Sequence, residues 1–357
     1  MNLTEYMSKA IKNIIQDALK ACLKNPKESF FLLKYITDES SAEKKRNTNE
    51  KAGIHIPPFL IASIASTCNL YCKGCYARAN QSCGEKNRDE LSAEQWGVIF
   101  QEARELGISF ILLAGGEPLM RKDILEQAAA IPEIIFPIFT NGTMLDDTCF
   151  DLFDRKRNLL PVLSIEGDEA QTDNRRGAGV YRTLVKAMDD MNREGIFYGA
   201  SVTVTTENLE TVTSDGFAGI LREKGCKLVV FVEYVPVDHA ASSLAPCERE
   251  RKLLEERQSM LRQKYEGMIF ISFPGDEKHT GGCLAAGRGF FHINAVGSAE
   301  PCPFSPYSDT SLKDGSLLDA LQSPLFRRLD ETGLLSQEHE GGCVLFGREQ
   351  EVQQLLI

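Results

Sequence analysis

Short apolar runs alternate with amphipathic stretches from Pro58 to about Val237. The apolar runs are bounded by turn-forming residues and predict strands at 60–65, 110–113, 134–139, 162–165, 197–205 and 228–234. Between them, apolar positions recurring at helical spacing predict helices at 93–106, 122–130, 146–156, 182–194 and 215–224. Successive β-then-α units imply a parallel sheet with helices over its outer face. Right-handed crossovers then curl that sheet into a partial (β/α)6 TIM-like barrel, an α/β fold. In such a barrel the functional groups gather at the carboxyl ends of the strands.

The flanks read differently. Ile11, Ile14, Ile15, Ala18, Leu19, Cys22 and Leu23 recur at helical spacing, and 30–36 continues as a second short helix. Residues 37–53 are charged and lack large apolar side chains, which predicts a linker or exposed loop. These N-terminal helices dock on the barrel or recruit a partner. Residues 248–267 read as a charged helix leaving the barrel. The segments 290–294 and 299–303 form a hairpin around the Val296-Gly297 turn. The expected division is an N-terminal helical extension and linker (1–56), the barrel (57–240), a connecting helix and strand (241–280) and a Gly- and Cys-bearing C-terminal domain (281–357).

Composition narrows the function. The 357 residues are 43% hydrophobic and 25% charged, ample for a packed core. A net charge of −11 argues against binding nucleic-acid phosphates. No secretory signal and no run long enough to span a membrane are visible. The 11 cysteines are an odd number, too sparse for a disulfide scaffold, so a reducing cytoplasm is the expected setting.

Three of those cysteines carry the chemistry. Cys68, Cys72 and Cys75 follow the first predicted strand at a spacing that wraps one face of an iron–sulfur cube. A closed structural site wants four protein ligands, so a set of three leaves one metal corner open. Ala114-Gly115-Gly116-Glu117-Pro118 closes the next strand, where paired glycines let the backbone approach a ligand. Further strand ends carry Thr140-Asn141-Gly142-Thr143 and Ser164-Ile165-Glu166-Gly167, followed by Arg175-Arg176-Gly177.

This conjunction resembles the radical SAM enzymes, whose signature is C-x3-C-x2-C after the first barrel strand. The resemblance implies a [4Fe-4S] cluster on Cys68, Cys72 and Cys75, with its open iron chelated by S-adenosylmethionine. Reductive cleavage of that cofactor releases a 5′-deoxyadenosyl radical, which abstracts hydrogen from substrate. Gly115, Gly116, Glu117 and Pro118 match the family's contact to the cofactor's amino group. Asn141 falls at a further strand end, and Ser164 with Arg176 would hold its carboxylate; Arg175 is the alternative to Arg176. Two departures stand out. Glu166 replaces the family's usual Asp, and Gly74 stands where an aromatic residue often packs by the adenine, with Tyr76 two positions on.

The C-terminal region resembles the family's SPASM and twitch auxiliary-cluster domains. Cys283, Gly297 and Cys302 match the opening element, but the later cysteine run of the complete type is absent. The resemblance implies one auxiliary [4Fe-4S] cluster on Cys283, Cys302 and Cys343, its fourth corner open to Cys247, Cys83, water or substrate. Cys22, Cys149 and Cys226 read as core, and His292 as structural. Glu233, Asp238 and Asp276 are the candidate proton acceptors, alongside Tyr234, His239 and Glu277. The expected activity is radical modification of a peptide or protein, with a small-molecule substrate as the alternative. An electron donor such as flavodoxin or ferredoxin is implied, and no nucleic-acid or membrane partner. A non-enzymatic iron–sulfur electron carrier is the reading from a different class, but it leaves the Gly-Gly-Glu-Pro and Ser/Arg strand ends unexplained.

Overall fold

The chain is described by a computed structural model covering residues 3–84, 89–236, 239–273, 280–336 and 343–357. It opens with α1 (Leu3–Cys22) and α2 (Pro26–Lys51). Then follow β1 (Phe59–Ala65), the single turn α3 (Tyr76–Ala79), α4 (Ala93–Leu106), β2 (Phe110–Gly115) and α5 (Lys122–Ala129). The alternation continues through β3 (Phe136–Thr140), α6 (Asp147–Arg155), β4 (Leu159–Ser164), α7 (Glu169–Arg176), α8 (Val180–Glu194) and β5 (Gly199–Val204). After α9 (Leu209–Val212), α10 (Asp215–Glu223) and β6 (Leu228–Glu233) come α11 (Glu248–Lys264) and β7 (Ile269–Phe273). The chain ends with β8 (His292–Ile293), β9 (Ala299–Glu300), α12 (Leu317–Leu321), α13 (Pro324–Glu331) and α14 (Glu349–Gln354).

Among the described residues one sheet of nine strands results, in the order β7-β6-β5-β4-β3-β2-β1-β8-β9. Its pairs are parallel throughout except β8–β9, the expected antiparallel hairpin, in which His292 faces Glu300. This is the expected partial barrel, with more strands than six. Residues 248–264 do not leave the barrel. They form the crossover that lays β7 parallel to β6, and Gln258 and Arg262 of α11 donate to the Phe270 carbonyl at 3.1 and 2.9 Å. A charged sequence allows this because only Leu254, Gln258 and Leu261 are buried there.

The linker expected at 37–53 is also corrected. Residues 37–51 are instead the second half of α2, a helix of 26 residues capped by Asn25 with Pro26 in its first turn. Its buried stripe mixes charged with apolar side chains: Glu28, Leu32, Tyr35, Glu39, Ala42 and Arg46. Arg46 and Glu39 form a buried ion pair at 2.7 Å, and Arg46 also donates to the Gly107 carbonyl and to Ser109 Oγ. Tyr35 donates to the Ser109 carbonyl at 2.7 Å, clamping α2 against the α4–β2 connection. A reading that looks for apolar periodicity misses a stripe whose contacts are ionic.

The core has two sides. Trp96, Phe100, Ile124, Leu184 and Met188 of the helices cover the outer face of the sheet. The barrel interior at the amino ends of the strands is floored by α1, where Ile11, Ile15, Ala18 and Cys22 are buried against Ile135, Val162, Leu228 and Ile269. No helix among the described residues is long and apolar enough to cross a membrane.

Candidate active site

The loop after β1 carries Cys68, Cys72 and Cys75, all partly exposed and none in a disulfide. Its conformation is held from three directions. Arg78 donates to the Leu70 carbonyl at 2.7 Å and stacks over the Tyr71 ring. Lys73 exchanges backbone contacts with Arg175: its N–H donates to the Arg175 carbonyl at 2.9 Å, and Arg175 Nε donates back to the Lys73 carbonyl at 3.1 Å. From the β3 exit, Asn141 Nδ2 donates to Asn69 Oδ1 at 2.9 Å and lies 3.8 Å from Cys68 Sγ. Burial pushes the Cys68 thiol above its ordinary range.

At the β2 exit the paired glycines serve an approach within the chain itself. A Cβ on Gly116 would lie 1.9 Å from the Thr67 carbonyl oxygen, and one on Gly115 would lie 2.5 Å from that of Ala65. Their absence lets Gly116 N–H donate to Ala65 and Glu117 N–H to Thr67, which docks the cysteine loop on β2. Glu117 is buried, and burial raises its carboxyl. It accepts from Thr140 Oγ1 at 2.6 Å, Asn141 N–H at 2.8 Å and Leu119 N–H at 3.1 Å. Glu117 therefore locks the β2 exit to the β3 exit and orients Asn141. Pro118 begins the short 3-10 turn that follows.

The β4 exit brings the two arginines to one carboxylate. Glu166 is buried and accepts from Arg175 Nη1 at 2.9 Å, from Arg176 Nε at 2.8 Å and from Arg176 Nη2. Its second oxygen accepts the Thr203 N–H. Arg176 Nη1 stands 3.9 Å from Cys72 Sγ, whereas Arg175 is spent on the loop backbone and Glu166. Both arginines sit at the end of α7, a helix too polar to show periodicity. Its Asp168–Gln171 capping box is the signal that could have found it. Ser164 ends β4 beside Ser201 of β5, on the same rim.

An aromatic ring does stand by Gly74. With φ at +65°, Gly74 leaves room that Tyr234 of the β6 exit takes up, and a Cβ there would lie 2.7 Å from the Tyr234 hydroxyl. Tyr76 points elsewhere. Its ring packs edge-on against Phe304 at 5.2 Å, its hydroxyl is bonded to Ser63, and burial raises that hydroxyl.

Sequence comparison decides what this rim belongs to. The radical SAM superfamily profile matches residues 63–215, which span the cysteine loop and the β2, β3 and β4 exits. Residues 63–215 form a radical SAM domain. It is similar to the AdoMet-dependent heme synthase of Methanosarcina barkeri, 26% identical over 80% of this chain and 87% of that protein. It is also similar to the mycofactocin maturase MftC of Mycolicibacterium smegmatis, 25% identical over 83% of this chain and 76% of that protein. Among solved structures, Streptococcus suis SuiB bound to its precursor peptide SuiA shares the fold, with a TM-score of 0.68, 20% identity, and coverage of 87% of this chain and 77% of that chain.

A radical SAM enzyme works with a [4Fe-4S] cluster and S-adenosylmethionine, and the residues on this rim suit both. The three free thiols share one loop beside N–H donors from Asn141 and Arg176 that approach two of the sulfurs. Among the described residues no three His, Cys, Asp or Glu side chains could hold a single metal ion. A cube binds each thiolate to a different iron and so takes ligands that stand further apart.

The C-terminal cysteines meet as well. Cys302 is hydrogen-bonded to Cys343 and within electrostatic reach of Cys283, and burial drives its thiol well above the ordinary range. Cys83 instead lies near the triplet of this radical SAM domain, where burial pushes it up to about 11, and the exposed Cys247 caps α11. Cys22, Cys149 and Cys226 are buried. A buried polar relay joins the two cysteine regions. Ser63 Oγ, which bonds Tyr76, is hydrogen-bonded to His292 Nε2 at 2.7 Å, and His292 Nδ1 to Glu300 Oε2 at 2.7 Å. His292 is thus held between Ser63 and Glu300. Of the candidate proton acceptors, Glu233 is buried and ion-paired with Arg251 of α11. Asp238, Asp276 and Glu277 lie outside the described residues.

Proposed function

We propose that this chain is a peptide-modifying radical SAM enzyme whose radical-generating cluster is held by Cys68, Cys72 and Cys75. When bound, that cluster and S-adenosylmethionine supply a 5′-deoxyadenosyl radical able to abstract hydrogen from a substrate. The chain's own residues bind and orient. Asn141 and Arg176 donate toward the Cys68 and Cys72 sulfurs, which steadies a negatively charged cluster. Arg176 Nη1 and Ser164 offer donors for the cofactor's carboxylate, while Glu166 fixes the guanidinium through Nε and Nη2. Gly115, Gly116, Glu117 and Pro118 shape the wall that receives its amino group. Tyr234 supplies beside Gly74 the aromatic face for adenine, the place the sequence left to Tyr76.

The convergence of these groups at the carboxyl ends of β1 to β4 carries this reading. The peptide substrate is supported by relatives named as maturases of mycofactocin and of a sporulation killing factor, by a PqqA peptide cyclase, and by SuiB with its bound precursor peptide. The heme synthase relative is the observation that favours a small-molecule substrate. Cys283, Cys302 and Cys343 hold a second [4Fe-4S] cluster in this proposal, with a flavodoxin or ferredoxin as electron donor.

The test is anaerobic incubation of the reconstituted enzyme with S-adenosylmethionine, a reductant and short peptides encoded beside its gene. Formation of 5′-deoxyadenosine together with a mass change in one peptide is the expected outcome. Deoxyadenosine without any peptide product, and turnover of a small molecule instead, would favour the second reading. No deoxyadenosine at all would overturn both.

A further inference from the structure

The interior of the barrel holds a chamber of about 350 Å³ that runs from α1 at the amino ends of the strands up to Phe139, Val232 and Phe273. Its walls are the inward-facing residues of the strands, among them Ile61, Leu112, Phe139, Leu160, Val230 and Ile271. Its floor is α1, through Ile11, Ile14, Ile15 and Ala18. Phe290 closes the open seam of the barrel, its ring 5.5 Å from Phe273 of β7 and 6.1 Å from Phe59 of β1. None of the residues assigned to the cluster or to S-adenosylmethionine lines it.

The chemistry of this chamber is nearly uniform. Its two charged lining groups, Glu28 and Arg157, form a buried ion pair with each other, and Arg157 is further bonded to Asp154 and to the Gly195 carbonyl. The walls therefore present no uncompensated charge to a ligand, and water finds few partners there. The chamber's volume falls in the range of sites for small apolar ligands, about 300–1,000 Å³.

We propose that this chamber is a binding site for an uncharged aliphatic chain, acyl or isoprenoid, separate from the radical site and independent of the peptide reading. The neutral walls select against a charged headgroup inside.

Titration of the full-length protein with N-phenyl-1-naphthylamine, a neutral apolar fluorophore, tests this directly. Saturable binding, displaced by 1-dodecanol or by farnesol, is expected, and the more effective competitor identifies the acyl or the isoprenoid source. Ile14→Trp in the floor and Ile271→Trp in the opposite wall should each weaken fluorophore binding by roughly tenfold or more while S-adenosylmethionine binding stays unchanged. If one variant fails to fold, the other carries the comparison; if both fail, the parent titration decides. The proposal is overturned if the parent shows no saturable binding, if neither alcohol displaces the fluorophore, or if a folded variant binds it as the parent does.

Discussion

At their carboxyl ends the parallel strands hand over to loops bearing cysteines, carboxylates and guanidinium groups that bond one another across four strand exits. At their amino ends the same strands meet α1 in aliphatic contact, and α2 anchors by ionic contacts to the α4–β2 connection. The two ends are a few residues apart along each strand, yet they are built for different tasks. At the carboxyl end, buried Glu117, Asn141 and Glu166 are fixed by hydrogen bonds while the three cysteines stay partly exposed, which suits a site that must bind and turn over ligands. The amino end is lined by aliphatic side chains around a chamber, with its charged lining groups Glu28 and Arg157 paired to each other. Substitutions should divide accordingly: those at the rim change chemistry with little cost to folding, and those at the floor do the reverse.

The strongest way to break that division is to replace Cys68, Cys72 and Cys75 together with Ala. Deoxyadenosine formation should disappear and iron should fall by roughly four per chain, the content of one cube. The melting temperature of the iron-free protein should hardly change, because these thiols are partly exposed. Roughly four irons should remain on the C-terminal cysteines. Complete loss of iron would instead mean that Cys283, Cys302 and Cys343 hold no cluster.

Next in size is Glu39→Ala at the other end. It leaves Arg46 buried and unpaired, which should cost about 3–5 kcal/mol in urea unfolding. Iron content and S-adenosylmethionine affinity should be retained below the unfolding transition. A loss below 1 kcal/mol, near the value of a surface pair, would show that α2 is not clamped as described.

Arg176→Ala sharpens the rim itself. Removing a charged partner of a ligand should weaken S-adenosylmethionine binding by about 2–5 kcal/mol in calorimetry. Arg175→Ala should do less, since its contacts are to Lys73 and Glu166. The reverse ranking would exchange their roles.

The smallest effect concerns thiol reactivity. Burial pushes Cys22 and Cys226 up to about 12, so at pH 8 their reactive thiolate is scarce and each further unit of pH raises it tenfold. Iodoacetamide should label exposed Cys247 and leave both unmodified in the folded protein, by peptide mass mapping. Rapid labelling of Cys22 would mean that α1 detaches from the floor.

Much of this was legible in the sequence, and the reasons are local. Strand–helix alternation, the cysteine triplet, the Gly-Gly-Glu-Pro turn and the 290–303 hairpin are written in residues close along the chain, where period and turn chemistry speak directly. The sequence by itself determined the partial barrel and the superfamily's chemical core. Only the tertiary structure decided the rest. The mixed stripe of α2 makes sense only once Gly107 and Ser109 stand opposite Arg46 and Glu39. Gly74 reads as a missing aromatic until Tyr234 arrives from β6. Glu166 reads as a mild departure until both arginines converge on it, and Ser63 meets His292 across 229 residues. Each of these contacts depends on a partner remote in sequence, and burial gives it its strength, so no local pattern encodes it.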